Sequence, residues 1–278
     1  MRRGRGREDA RRGPRITGSV AGIVAAGGQG RRAGFLGPAE PPKQFRPLGG
    51  LPLIGWSVRL LTDAGCDPVV VVVPEGSWTD RLSGFEVRVV LGGDERQKSV
   101  RNGLSVVDTP SVVVHDAARP FATPALVRDV LAALKDAHGA APAVPVADTL
   151  KEVRDGRVIR TVERSSLWAI QTPQAFRTDA LKTVHDKARV DGFVASDDGQ
   201  LIERYGGVMR IVEGTRDNIK LTFPEDWRVA EAMVAARGGG DRHDRGGDAG
   251  GPRPRAAGAP DEAVWHEPRR GGPGPRGV

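Results

Sequence analysis

The chain has 278 residues, enough for one large domain or two small ones, and a hydrophobic share of 38% that can fill a core. Its formal charge of +7 sits at the ends: seven arginines against Glu8 and Asp9 give residues 1–18 a net +5, residues 238–278 carry +1, and the stretch 19–237 is left with +1. That near-neutral middle excludes a basic nucleic-acid footprint, the lack of an eighteen-residue apolar run excludes a spanning helix, and the single cysteine, Cys66, excludes an intrachain disulfide.

The first eighteen residues and residues 238–278 are rich in Gly, Pro and Arg and nearly empty of periodic apolar positions. Such segments cannot bury enough surface to offset chain entropy, so both read as disordered tails. The basic N-terminus reads as a solvated extension, or a start codon placed too early, rather than an RNA tether. It lacks the apolar core of a signal peptide, and Cys66 sits beside an apolar run as a small core residue. These features point to the cytoplasm.

Between the tails, short apolar runs alternate with helix-period segments. Strands are expected at 20–26, 68–73, 87–91, 112–115 and 140–146; the run at 68–73 is β-branched on both faces, as in a strand buried between helix layers. Helices are expected at 52–64, 96–106 and 124–137, the last with Thr123 as N-cap and Pro124 in the first turn. After 146 the pattern changes: 150–153 and 158–162 flank Asp155-Gly156, a hairpin signal. Helices at 178–187, 196–205 and 224–236 and a strand at 209–212 complete the order. The expected fold is α/β, a Rossmann-like, mostly parallel sheet with helices on both faces. One domain over 19–237 carries a projecting β-hairpin arm at about 147–172.

Three segments carry chemistry. The first strand runs into Ala26-Gly27-Gly28-Gln29-Gly30-Arg31-Arg32, where backbone N–H groups can approach phosphate oxygens. No Gly-Lys-Ser/Thr follows, and the spacing fails the dinucleotide fingerprint. The loop continues to Pro42-Lys43-Gln44-Phe45, so Arg32 and Lys43 place two cations where a triphosphate could sit. The fourth strand ends in His115-Asp116-Ala117-Ala118-Arg119, which puts an acid at the carboxyl end of a central strand, the usual ligand crevice. Asp116 is a candidate Mg²⁺ ligand or, alternatively, a salt-bridge partner of Arg119. Late in the chain, Asp217-Asn218-Ile219-Lys220 follows a strand; Asp217 could give the metal a second carboxylate, with Lys220 facing phosphates.

Taken together and in order, Ala-Gly-Gly-x-Gly-x-Arg, Pro-Lys-Gln-Phe, Gly92-Gly93-Asp94-Glu95-Arg96 with Ser99, His-Asp-Ala-Ala-Arg-Pro-Phe, Asp148-Thr149, Thr161-Val162-Glu163-Arg164, Gln171-Thr172-Pro173-Gln174 and Asp-Asn-Ile-Lys resemble the methylerythritol-phosphate cytidylyltransferases of the non-mevalonate isoprenoid pathway. The resemblance covers nearly all of 20–236 and neither tail. It implies CMP transfer from CTP to 2-C-methyl-D-erythritol 4-phosphate, with Mg²⁺ as cofactor. Ala26, Gly27, Gly28, Gly30, Gly93, Asp94, Ser99 and Ala117 would hold CTP, and Arg32 and Lys43 would stabilise the transition state. Asp116 and Asp217 would bind the metal. Arg119, Thr149, Arg164, Thr172 and Lys220 would position the acceptor, with the Arg164 arm exchanged between the subunits of a homodimer.

Two departures from the family pattern carry expectations of their own. Gly27, where many relatives have Ala, is expected only to loosen a tight turn, and Ala195-Ser196-Asp197-Asp198-Gly199 is expected to leave the helix N-cap to Ser196. The alternative acceptor is another polyol phosphate such as ribitol 5-phosphate. A non-catalytic nucleotide or RNA binder is disfavoured by the neutral core and by 5% aromatic content, too little for a stacking platform.

Overall fold

The computed structural model describes residues 19–27, 41–74 and 79–240, with side chains through 237. Residues 1–18 and 241–278 lie outside the described residues, as do Gly28, Gly30 and Arg32 of the glycine-rich loop.

In chain order, β1 (Val20–Ala25) is followed by a 3-10 turn at Lys43–Phe45, the short pair β2 (Pro47–Leu48) and β3 (Leu51–Pro52), and α1 (Leu53–Asp63). Then come β4 (Val69–Val73), β5 (Arg88–Leu91), α2 (Arg96–Leu104), β6 (Ser111–Asp116), α3 (Pro124–Ala132) and β7 (Gly139–Pro145). The second half holds β8 (Leu150–Arg154), β9 (Arg157–Val162), β10 (Trp168–Ile170), β11 (Gln174–Arg177), α4 (Thr178–Asp191), α5 (Asp198–Arg204), β12 (Met209–Glu213) and α6 (Pro224–Gly240).

β1 is central, parallel to β4 on one side and β6 on the other, and β5 continues the parallel run beyond β4. The valines explain why. Val71 and Val73 of β4 enter one core layer with Val58, Leu61 and Val127 of α1 and α3, while Val70 and Val72 enter the opposite layer with Val100, Leu104 and Leu181 of α2 and α4. A strand whose successive side chains are all buried can only sit between two helix layers. Asp155 and Gly156 have φ of 48° and 75°, the turn expected between two hairpin strands. Thr123 caps α3 as expected, its hydroxyl accepting from Leu126 N–H.

β11 runs antiparallel between β6 and β7, and β10 is antiparallel on the same flank of β7, because β12 occupies the other flank in parallel. Gln171, Thr172 and Pro173 fill the break between β10 and β11. This corrects the expected arm: the free hairpin is β8–β9 alone, a separate two-stranded sheet, and Trp168–Ile170 belongs to the main sheet. The cap of α5 also differs. Asp197, not Ser196, accepts from Gln200 N–H at 2.9 Å, since a carboxylate is the stronger acceptor at the positive end of a helix. Among the described residues no helix is long and apolar enough to cross a membrane. Cys66 is buried, and burial pushes its thiol up to about 12, which makes it an inert core residue.

A third cluster joins the last helix to the sheet edge that bears the strand termini. Phe121, Leu221, Leu48, Leu53 and Ala230 are buried with Trp56, Ile219, Trp227 and Met233 around them. The Phe121 ring meets Trp56 edge-on at 6.0 Å and lies under the Arg237 guanidinium at 4.7 Å. Phe121→Ala is expected to lower unfolding free energy by about 3–5 kcal/mol, measured by urea denaturation, because the ring is fully buried and its space cannot collapse. A loss below about 1 kcal/mol would show that α6 does not depend on this ring.

Candidate functional site

The carboxyl ends of β1, β4 and β6 open on one edge of the sheet. There the chain has little room for side chains: a Cβ on Gly27 would sit 2.3 Å from Ser99 Oγ, and one on Gly92 would sit 2.8 Å from the same atom. Gly27 therefore does more than loosen a turn; it lets the end of β1 touch the start of α2. Ser99 accepts the Gly93 N–H at 3.1 Å and donates to Glu95 O at 3.0 Å, so the Gly92-Gly93 turn is fixed from below. Ala117, buried, donates its N–H to Ala25 O at 3.2 Å. Asp94 is exposed and paired with Lys98, 2.8 Å away.

The Pro42-Lys43-Gln44-Phe45 segment is tied to the same edge at both ends. Gln44, buried, donates to Ala26 O at 2.8 Å, and Lys43 Nζ donates to the carbonyl of Leu221. Asn218 is buried and holds the late loop in place: its Nδ2 donates to Gln171 Oε1 at 3.2 Å and to Thr172 O at 2.9 Å, while Gln171 donates onward to Thr215 O. Asp-Asn-Ile-Lys is thus a scaffold as well as a set of charges.

Asp116 is the last residue of β6 and is 7% exposed. Arg96 Nε donates to its Oδ1 at 3.1 Å and Lys220 Nζ to its Oδ2 at 2.7 Å. Burial alone would raise its pKa, but Arg96, Lys220 and Arg119 outweigh it and hold the carboxyl well below the usual range. It is ionised at any working pH. Arg96 reaches further, with Nη1 2.7 Å from Asp198 Oδ2, and Asp198 Oδ1 accepts from His185 Nε2 at 3.0 Å. Burial works against the Arg96 charge, yet Asp198 and Asp116 more than compensate and raise its pKa. The alternative reading of Asp116 as a partner of Arg119 is not met: Arg119 donates to Asn218 O at 2.7 Å and Ile170 O at 3.4 Å, while Arg96 and Lys220 take the ion-pair contacts of the carboxylate. Burial lowers the Arg119 pKa from its ordinary value.

Behind Asp116 runs a chain of neutral hydrogen bonds. Asp116 N–H donates to Thr172 Oγ1 at 3.0 Å, Thr172 donates to His115 Nδ1 at 3.1 Å, and His115 Nε2–H donates to Arg119 O at 2.9 Å. A carbonyl can only accept, which fixes the tautomer. Burial lowers the His115 pKa to about 4, so the ring is neutral and both nitrogens are engaged. His115 is structural.

A cleft of about 410 Å³ is lined by Arg96, Asp116, Arg119, Thr172 and Lys220, together with Gln200 and Glu203. The structure thus brings together Asp116, Arg119, Thr172 and Lys220 in the cleft, and ties Lys43 to the carbonyl of Leu221, next in the chain after Lys220. It leaves Thr149 and Arg164 exposed on either side of the hairpin, and Asp217 exposed on the loop after β12. Sequence reasoning missed Asp198 altogether, and it gave Arg96 and Asn218 no role of their own. Arg96 did leave a trace: an arginine at the first residue of a helix opposes the helix dipole.

Among the described residues no cluster of three or more His, Cys, Asp or Glu could cage a metal. The donor set does fit Mg²⁺ of the kind held mainly by phosphate oxygens and water, because Asp116 is ionised and each of its oxygens keeps a lone pair beyond its one cation contact.

Compared with known proteins, residues 20–236 match the family model described as 2-C-methyl-D-erythritol 4-phosphate cytidylyltransferase. The protein of that name from Pelotomaculum thermopropionicum is 44% identical over 233 residues, covering 79% of this chain and 96% of the relative. The Aquifex aeolicus protein of the same name is 43% identical over 213 residues, covering 76% and 96%. Among solved structures, that of the Thermus thermophilus protein superposes with a TM-score of 0.69 at 34% identity, covering 78% of this chain and 99% of the other.

Thr172→Val keeps the shape of the side chain but leaves Asp116 N–H and His115 Nδ1 without their shared partner. It is expected to cost about 1–3 kcal/mol of stability in urea unfolding. A cost below about 0.5 kcal/mol would mean that the hydroxyl does not hold this wall.

Proposed function

The chain belongs to the 2-C-methyl-D-erythritol 4-phosphate cytidylyltransferase family, and from that premise we propose how its residues divide the work. The enzyme transfers CMP from CTP to 2-C-methyl-D-erythritol 4-phosphate and releases pyrophosphate, a step of isoprenoid precursor synthesis. The observation that carries the residue assignment is the meeting of three distant segments: Asp116 clasped by Lys220, and Lys43 bonded to the residue that follows Lys220. This is a site of cations around one ionised carboxylate, suited to phosphates.

A phosphate oxygen of the acceptor attacks the α-phosphorus of CTP in line with the departing pyrophosphate. The attacking group is anionic near neutral pH, so no general base is needed, in keeping with a neutral His115 whose ring nitrogens are both occupied. Catalysis falls to positioning and charge. Lys43, with Arg32 from the loop outside the described residues, stabilises charge on the transferring phosphoryl group. Ala26, Gly27, Gly93, Asp94, Ser99 and Ala117, with Gly28 and Gly30, cradle CTP. Lys220 and Arg119 draw in the acceptor phosphate, and Thr172 fixes the wall behind it. Asp116 and Asp217 would hold Mg²⁺, which neutralises triphosphate charge when bound. The reaction belongs in the cytoplasm.

We extend the proposal to a homodimer with exchanged arms, which supplies Thr149 and Arg164. A two-stranded hairpin is marginal by itself, and β8–β9 leaves Val153, Val158 and Ile159 more than half exposed. A partner subunit covers that surface and receives Arg164 at its own cleft.

Three experiments test this reading. Pyrophosphate release from CTP should be fast with methylerythritol phosphate and at least about a hundredfold slower with ribitol 5-phosphate, because buried polar groups left unpaired by the wrong acceptor penalise it. Lys43→Ala should lower turnover about a hundredfold or more through loss of a transition-state charge partner. Comparable rates with both acceptors would move the substrate to polyol phosphates in general, and normal turnover in Lys43→Ala would remove that residue from catalysis. For the arm, mixing Lys43→Ala with Arg164→Ala subunits should restore roughly a quarter of wild-type sites, since about half the dimers are mixed and each holds one intact site. Background activity alone would show that Arg164 serves its own chain.

A further inference from the structure

The ion chain does not stop at the cleft. Beyond Asp116 and Arg96 it runs to Asp198, the first residue of α5, and then to His185 on α4. Asp198 is 1% exposed and His185 2%. Neither side chain borders the cleft, whose lining passes from Asp197 to Gln200. Nothing in the transfer reaction as derived above uses them.

Stability alone gives little reason for charges at this depth. A buried carboxylate and guanidinium lose their hydration, and their attraction commonly no more than repays that loss, so apolar residues of similar volume would pack as well. What Asp198 does is hold one end of a rigid, planar group. Arg96 contacts Asp116 through Nε and Asp198 through Nη1, so the guanidinium is stretched between two anions and cannot turn its fork onto either. Asp198 is held in turn, since its second oxygen accepts from His185 Nε2.

The geometry points to Asp198 as a positioning residue of the transferase: it restrains Arg96 so that Asp116 meets a single guanidinium nitrogen and keeps its other oxygen for Lys220, with His185 fixing the angle of Asp198. This rests on the reading of the cleft as the CMP-transfer site. Without the Asp198 charge, the nearest remaining anion for the guanidinium is Asp116, and a bidentate grip on it is the strongest pairing available to an arginine. Asp116 would then be neutralised and turned, and Lys220 displaced from its oxygen. The acceptor phosphate would still bind, but its approach to phosphorus would be misaligned.

The test uses the full-length enzyme with CTP and methylerythritol phosphate, each variant first shown to be folded by circular dichroism. Asp198→Asn keeps the shape and one acceptor oxygen and removes the charge. It is expected to lower kcat about tenfold or more while KM for CTP moves less than about threefold. In an Arg96→Lys background the same change should cost less than about twofold further, because Asp198 acts through the guanidinium. His185→Gln retains a donor near the Nε2 position and should keep kcat within about threefold of wild type, whereas His185→Leu should fall as Asp198→Asn does. Normal kcat in Asp198→Asn, or losses that multiply in the double variant, would overturn the proposal. If Asp198→Asn does not fold, the two His185 variants decide: equal kcat in both overturns it, and a fall confined to Leu supports it. Failure of the underlying site reading has its own signature, wild-type turnover in Asp116→Asn.

Discussion

A guanidinium suspended between two buried carboxylates sets the geometry of this cleft. Arg96 spans from Asp116 at the tip of a central strand to Asp198 at the start of a helix, and Lys220 closes the other side of Asp116. Each charge in the row has an opposite neighbour within 3.1 Å, which is the condition for burying charge at all. The row also fixes chemistry. Asp116 stays ionised because its cations outweigh burial, and His115 stays neutral because burial outweighs its weaker partners. Adjacent residues on one strand thus both shed the proton with opposite results for charge: Asp116 becomes an anion among cations, and His115 a neutral ring that holds backbone in place.

The topology makes that row possible. β1, β4, β5 and β6 run parallel, so their carboxyl ends share one edge. The antiparallel β11 then brings Thr172 beside Asp116 from the opposite chain direction, and β12 delivers the Thr215–Lys220 loop to the same place. Close backbone approach completes the arrangement at Gly27 and Gly92, where Ser99 takes the space that a methyl group would need. Packing of Phe121 against Trp56 and α6 steadies the stretch that carries Lys220 and receives Lys43.

The hairpin is the opposite case. Its two strands bond to each other and leave their apolar side chains outside, which a free monomer gains little from. The proposed exchange of the arm in a homodimer would cover the exposed valines and give the exposed Arg164 a phosphate to meet. Under that proposal assembly and activity would be coupled, because each acceptor site would draw a residue from the other subunit.

By itself the sequence determined the alternation of strands and helices, the cap at Thr123, the Asp155-Gly156 turn and the family, because these depend on residues near one another in the chain or on motifs that are contiguous. It also marked Lys43, Asp116 and Lys220, since unusual charges at strand ends announce themselves. Only the tertiary structure decided the rest. β11, four residues with no clear alternation, is a strand because β6 and β7 both need a neighbour there. Trp168–Ile170 leaves the arm because β11 pairs only the start of β7, which leaves residues 143–145 of that flank open for another strand. Asp116 pairs with Arg96 and Lys220 rather than with the nearby Arg119, and Asp198 acquires a place beside the site although it is 82 residues further along than Asp116. Partner choice among charges depends on distance and burial in the folded chain, and neither quantity is local in sequence.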